Sequence, residues 1–420
     1  MVPAASIGYD GRPSAIDRTR MNPVIGLAAL AFAYLLSQFY RSAIAVIARL
    51  MAQDLGLDQA LLGALSSAWF IAFAAMQIPV GVLLDRYGPR RTVASLMVAA
   101  VAGAIVFALA TNQAMAIAGQ ALIGVGCSPI FMGSLHAISH WFARERFASL
   151  SSLVLAFATV GILLSARPFG QLVEWIGWRQ AYLIAAAATA LALLAVLLLA
   201  RGPQGEVTDR AAADSWRSAI GGVGEALQIR ALWLVLPLNF AGYASLITVR
   251  GLWGGPYLSD VFGLSLRDVG NWLFVFTLAM AAGTLAYGWL EQRLHRRKIL
   301  VQIGSWGIVA GLAVLALWPS ASLEITAFGL VLIACSGSTY VLLMAQAKQY
   351  LPDRLTGRGL ASMNFVNFAG AGIIQAATGA VAQITLNSGA GTAISYGVLF
   401  GFMALLLAAA TIVHCFSRGD

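Results

Sequence analysis

Apolar residues along this chain come in long blocks, not in the two-residue alternation or three-and-four spacing of a fold that keeps one face in water. Twelve runs of about 20–28 residues are nearly free of charge, at approximately 24–48, 60–84, 92–111, 113–141, 149–173, 179–201, 231–258, 268–291, 299–318, 324–349, 358–384 and 393–415. Each is long enough to cross roughly 30 Å of hydrocarbon at about 1.5 Å per residue. The longest polar connection, RGPQGEVTDRAAADSWRSAIGG at 201–222, falls between the sixth and seventh runs. The pattern predicts an all-α membrane protein with twelve transmembrane helices in two six-helix bundles. The bundles span 24–201 and 231–416, with an N-terminus at 1–23, a central loop at 202–230 and a tail at 417–420.

Composition agrees with the pattern: 60% of the 420 residues are hydrophobic, 10% are charged, and the mean hydropathy is +0.81. A soluble domain of this size needs far more charge to cover its surface. The net charge of +9 brings nucleic acid to mind, but its placement excludes that partner. When the sides are alternated from a cytoplasmic N-terminus, one side holds 20 of the Lys and Arg residues and the other holds Arg49, Arg179 and Arg267. Such a positive-inside bias puts both termini and the central loop in the cytoplasm. The first run is too long for a signal-peptide core and reads as an uncleaved span. Cys127, Cys335 and Cys415 all fall within spans, so no disulfide framework is implied. The chain has no Asn-x-Ser/Thr sequon and no long exterior loop, which suits a bacterial inner membrane.

The two halves share one plan. LGLDQALLGALSSAWFIAFAAMQIPVGVLLDRYGPRR, from Leu55, aligns without a gap on FGLSLRDVGNWLFVFTLAMAAGTLAYGWLEQRLHRRK, from Phe262. Gly56, Gly63, Gly81, Arg86 and Arg90 fall on Gly263, Gly270, Gly288, Arg293 and Arg297, always 207 residues on. Cys127-Ser128 and Cys335-Ser336 correspond at 208. Six helices followed by six in the same orientation is a parallel duplication, and in such transporters substrate sits near the midplane between the halves.

The loop after the second span, with Gly81, Leu83, Asp85, Arg86, Gly88, Arg90 and Arg91, resembles the G-x-L-x-D-R-x-G-x-R-R signature of the major facilitator superfamily. The degenerate copy between spans eight and nine, with Gln292 where Asp85 would be, is also usual there. The resemblance covers essentially the whole chain. It implies that Gly81, Asp85, Arg86, Gly88, Arg90 and Arg91 form a conformational latch closing the cytoplasmic side when the cavity faces out. In that picture Gly81 admits a neighbouring helix and Asp85 accepts from helix N-terminal amides. The alternative is a loop that only anchors topology. Exporters of this family usually carry an Arg in span four, where Gln120 stands here, and a glycine-rich motif in span five. Only Pro168 and Gly170 match that motif. Both departures weaken an efflux-antiporter reading.

Polar residues inside the spans supply the candidate site. All 17 Asp and Glu lie in loops or at span ends, so no acid sits where proton-coupled carriers commonly place one. His136 is the one histidine well inside a span, with either a proton role or a structural hydrogen bond. Arg41 shares a helical face with Tyr34 and Ser37, and Arg250 shares one with Asn239 and Tyr243. The two arginines are near-equivalent under the duplication, 209 apart. A guanidinium in a span is costly and generally faces a wet cavity. Two of them with no buried acid call for an anion, as in the organic-anion-carrying branches that this chain resembles. The alternative is snorkelling to the interface. Arg167 divides between snorkelling and substrate contact. Asn364, Asn367 and Gln375 form a polar stripe in span eleven, suited to orienting a ligand or to holding helices together, and Tyr340 lines the same cavity.

The reading is a secondary transporter moving a small carboxylate-type anion by alternating access, driven by anion exchange or by a co-transported proton. Efflux of amphipathic compounds past aromatic walls such as Trp69, Tyr243 and Tyr340 is the alternative, and a non-transporting membrane sensor is a third. No acid/base or metal-ligand cluster suggests an enzyme. The expected partners are the lipid bilayer and the anion alone, with no nucleic acid, cofactor or metal, and the protein is expected to be a monomer.

Overall fold

The computed structural model describes residues 23–200, 229–352 and 356–417, so the expectations for the N-terminus, most of the central loop and the last three residues lie outside it. Every element among the described residues is helical. Among these residues eleven helices are long and apolar enough to cross a membrane, beginning with Pro23–Leu55 and ending with Thr392–Cys415. The twelfth span is visible once the backbone is followed. Gln59–Ala75 runs on past Met76 into Gln77–Ala108. That second helix turns at Gly88, where φ is 73°, a conformation that a side chain disfavours. The segment before Gly88 completes the second span, and Pro89 starts the third.

The duplication is written into the backbone as well as the letters. The first and seventh spans end at Gly56 and Gly263, both with φ above 60°. The next helices start 207 residues apart, where the side chains of Asp58 and Ser265 accept the third amide of the helix as N-caps. His295 is the only described non-glycine residue with positive φ, and it stands 207 residues after Gly88. The second copy keeps the turn without the glycine.

Several spans are interrupted within their length. The fourth breaks at Ser128-Pro129, between Gln113–Cys127 and Ile130–Trp141. The fifth breaks at Ser165-Ala166, between Phe147–Leu164 and Arg167–Ile176, because Pro168 offers no N–H to continue the ladder. The seventh carries a five-residue π turn, Val249–Trp253, between Leu236–Thr248 and Gly254–Phe262. Such turns concentrate at functional positions.

The first and seventh spans are the innermost, with 67% and 72% of their most apolar window buried, against 22% in the fifth and eighth. Outward-facing Leu191, Leu285 and Leu405 are exposed, as lipid contact requires. Trp175, Trp233, Trp289 and Trp318 stand exposed near span ends, where indole suits the headgroup zone. This is an integral membrane protein.

The loops with Arg86–Arg91, Arg144–Arg146 and Arg293–Lys298 mark one face as basic. The halves are sealed towards the opposite face. There Arg49 donates to the Ser259 carbonyl at 3.2 Å and lies 3.6 Å from Asp260. The Gln59 amide donates to Gln383 at 3.1 Å. Gly255 of span seven lies so close to the Ala45 carbonyl of span one that a Cβ would collide with it. Gly255→Val is therefore expected to force the seal apart. Cysteine accessibility along residues 41–49 should rise from that face at least several-fold over wild type, and unchanged accessibility would refute the wedge.

Candidate functional site

Arg41, near the middle of the first span, is half-buried between the two halves. Its Nη2 donates to Gln38 Oε1. Gln38 in turn donates to the Tyr34 hydroxyl at 3.1 Å. One helical face thus presents a relay of tyrosine, amide and guanidinium, spaced three and four apart. The guanidinium carbon lies 6.0 Å from the ring of Tyr243 and 5.9 Å from that of Phe368, both on the other half. These are cation–π distances. Arg41 Nε is buried without a partner, and Arg41 pairs with no described acid.

Rings extend from this point in both directions. Tyr243 is 5.2 Å from Tyr340, and Phe368 is 4.4 Å from Phe73, which stacks on Trp69 at 4.9 Å. Tyr34 stacks on Phe131 at 5.1 Å. A narrow crevice of about 10 Å³, the room of one water, runs behind Tyr243, Tyr340 and Asn239.

Arg250 is placed differently. It lies inside the π turn, is 0% exposed, and points towards spans five and eight. Nε donates to Thr277 Oγ1 at 2.9 Å. Nη2 donates to the Ile162 carbonyl at 3.1 Å and reaches Ser165 Oγ at 3.4 Å, across the halves. That carbonyl lacks its backbone partner, because the Ala166 amide bonds to Leu163 instead at the span-five break, and it also accepts from Ser165 Oγ at 2.8 Å. Nη1 is buried with no partner. A snorkelling head would be exposed, and this one is not. The two guanidinium groups occupy separate surroundings in this conformation, although Gly251 packs beside the Arg41 carbonyl.

The other candidates divide. Asn239 donates to the Met363 carbonyl at 2.7 Å and ties spans seven and eleven. Asn364 donates to Gln77 at 3.0 Å, joining the halves below Phe368. Asn367 Oδ1 and both amide atoms of Gln375 are buried without partners. Ser37 is buried on span one. His136 is half-buried near the basic face with its ring 4.1 Å from that of His140. Arg167 is exposed, and its Cα packs against Gly270. In the signature loop Arg90 donates to the Leu197 carbonyl at 2.8 Å, Arg86 lies 5.3 Å from the Tyr87 ring, and Asp85 and Arg91 are exposed. Nothing stands within 4 Å of a Cβ built on Gly81, so the expected close helix approach there is not made in this conformation. The second loop has an acid after all, one residue earlier, since Glu291 pairs with Arg297 at 2.7 Å.

Sequence reasoning passed over Gln38, Gln77, Phe73, Phe131 and Phe368. Gln38 was visible as the residue three before Arg41, and Gln77 as a lone amide in an apolar run. It also passed over His414, fully buried between Gln302 at 2.7 Å and Gln346 at 3.1 Å.

Residues 30–374 match the family model for the Major Facilitator Superfamily. The chain belongs to that superfamily. Among its curated members, a probable sulfoacetate transporter of Cupriavidus necator is 23% identical over 281 residues, 64% of this chain and 65% of the relative. The match therefore spans slightly under two thirds of that relative's length. The fosmidomycin resistance protein of Escherichia coli is 24% identical over 352 residues, 82% of each chain. A probable L-galactonate transporter of the same organism is 24% identical over 305 residues, 68% of this chain and 65% of its own. The crystal structure of the nucleoside transporter NupG superposes with a TM-score of 0.77 at 13% identity, covering 94% of this chain and all of that one. This superfamily is one of transporters, not enzymes.

Proposed function

We propose that this major facilitator protein moves a small organic anion across the membrane by alternating access, with Arg41 as the group that takes the carboxylate. One observation carries the reading: a guanidinium between the halves, with rings of both nearby and paired with no described acid. A planar fork suits a carboxylate through two parallel hydrogen bonds. Relatives named for sulfoacetate and L-galactonate transport lend support, since both substrates are organic anions.

With the basic face taken as cytoplasmic, the seal on the opposite face corresponds to an outward-closed form. Opening it strips Arg250 of the Ile162 and Ser165 acceptors and turns its fork, with the unpartnered Nη1, towards the opened space. Arg250 then joins Arg41 as a second anion ligand on that side of the cycle. The signature loop around Asp85 latches the basic face in its turn. With no acid inside the spans, the driving force is exchange of one anion for another or a proton carried with the substrate.

The basic face is cytoplasmic in this reading. Gln53→Cys and Arg296→Cys should label from opposite sides of right-side-out vesicles, and labelling from one side would overturn the orientation. Flux of radiolabelled carboxylates in proteoliposomes tests the function itself. A membrane sensor would bind without flux. Efflux of amphipathic compounds stays as the second reading, favoured by the ring-lined walls and by the fosmidomycin resistance relative. Flux of amphipathic cations without carboxylate flux would establish it.

A further inference from the structure

We propose that Gln375 is a counterweight built into the seam between the halves, an amide whose unpartnered atoms keep the outward-closed form from becoming a trap. The inference rests on the alternating-access part of the preceding reading and is independent of the anion.

Spans two and eleven run antiparallel against each other along that seam. The Gln59 amide meets Gln383, Gly63 meets Gly379, Ile71 meets Gly372, and Gln77 meets Asn364. Towards the sealed end the contact is backbone on backbone. A Cβ built on Gly63 would stand 2.6 Å from the Gln375 carbonyl and 2.9 Å from the Gly379 Cα, and one on Gly379 would stand 2.6 Å from the Gln59 carbonyl. Such close approach gains dispersion energy over many atom pairs. Left to itself, this seam would hold the outer ends shut.

Gln375 works against it. Phe368 and Gly372, seven and three residues before it, and Gly379, four residues after, all touch span two. These positions share one helical face. Thr378, three residues on, accepts the indole N–H of Trp253 in span seven at 2.8 Å. The Gln375 side chain is therefore directed across the seam, towards span two and the neighbouring span seven. It is 0% exposed, and neither Nε2 nor Oε1 has a partner. Gln59 Oε1, further out in the same seam, is likewise buried without one.

An amide shut away in this fashion forgoes the hydrogen bonds that water would give it. It regains them once the outer ends of spans two and eleven part, so the penalty falls on the closed form alone. For a buried unsatisfied group that penalty is a factor of roughly five to 150 in the ratio of closed to open forms. The glycine packing draws the seam together and the amide loosens it. A carrier that must visit both forms needs the two effects to stay nearly balanced.

The test uses two substitutions that should act in opposite directions on the full-length protein without ligand. Ala45 is 1% exposed and lies one turn inside Arg49, on the helical face that carries Arg41 and Arg49. Ala45→Cys, with Cys127, Cys335 and Cys415 changed to serine, reports opening of the seal. The signal is its rate of reaction with a membrane-impermeant maleimide applied from the face opposite the basic loops. Gln375→Met keeps the length of the side chain and removes the amide. Labelling should slow at least fivefold, and the melting temperature should rise. Gln375→Glu places a charge in the closed seam, and labelling should quicken at least fivefold. Unchanged labelling in Gln375→Met, or faster labelling in both variants, overturns the counterweight, since an amide that merely helps to hold the seam loses contacts either way. No anion is present in this experiment, so its failure leaves the carboxylate reading to be decided by flux.

Discussion

Arg41→Ala is expected to abolish anion binding and flux while the protein remains folded and monodisperse. Losing one partner of a desolvated charge pair costs about 2–5 kcal/mol, or roughly thirty- to several-thousandfold in affinity. Folding should tolerate the change, because Arg41 pairs with no described acid whose charge would be orphaned. The wall of Tyr243 and Phe368 loses only a cation–π contact of about 0.5–2 kcal/mol. Arg41→Lys keeps the charge and loses the fork, so it should bind more weakly than wild type and far better than Ala. Uptake kinetics together with equilibrium binding on each variant decide the matter. Normal kinetics in Arg41→Ala would end the anion reading and promote efflux.

Arg250→Met should separate stability from function in an unusual direction. A guanidinium with no described acid partner and neither N–H of Nη1 partnered is an expensive thing to bury, and apolar replacement even of paired buried charges is often stabilising by about 1–4 kcal/mol. The acceptors it leaves keep their own bonds: Thr277 donates to the Leu273 carbonyl at 2.8 Å, and Ser165 donates to the Ile162 carbonyl at 2.8 Å. The variant is therefore expected to melt above wild type and to lose transport, because the opened outer space no longer offers its anion ligand. Thermal unfolding and proteoliposome flux on the same preparation read both. A lower melting temperature with flux intact would make Arg250 a structural tie only.

The fold was legible because membrane spans are set by run length and the duplication by repeated letters, and both are local. Gly56 with Gly263 and Asp58 with Ser265 keep their offset of 207 in the backbone as in the sequence. The site was legible on span one, where Tyr34, Gln38 and Arg41 follow an uninterrupted helix. It was not legible on span seven. The π turn Val249–Trp253 inserts a residue and rotates the remainder of the span by roughly 100°. Seven residues from Tyr243 to Arg250 consequently no longer means one face, and the guanidinium swings to spans five and eight. The break at Ser165-Ala166, which opens the Ile162 carbonyl to receive it, likewise leaves no mark in hydropathy. The aromatic wall was half legible: Tyr243 and Tyr340 stand out as polar-tipped rings, whereas Phe368 and Phe73 look like any lipid-facing phenylalanine.

Two guanidinium groups in a protein whose acids all lie at span ends or in loops have an electrical consequence. A charge displaced through the whole membrane field exchanges about 2.3 kcal/mol per 100 mV, and rocking halves carry Arg41 and Arg250 through part of it. The empty carrier therefore responds to voltage as a cation, and each bound monoanion cancels one unit of that response. Membrane potential acts on the return of the unloaded protein more than on the loaded crossing. Voltage steps on oriented membranes should evoke transient currents that shrink as substrate is added.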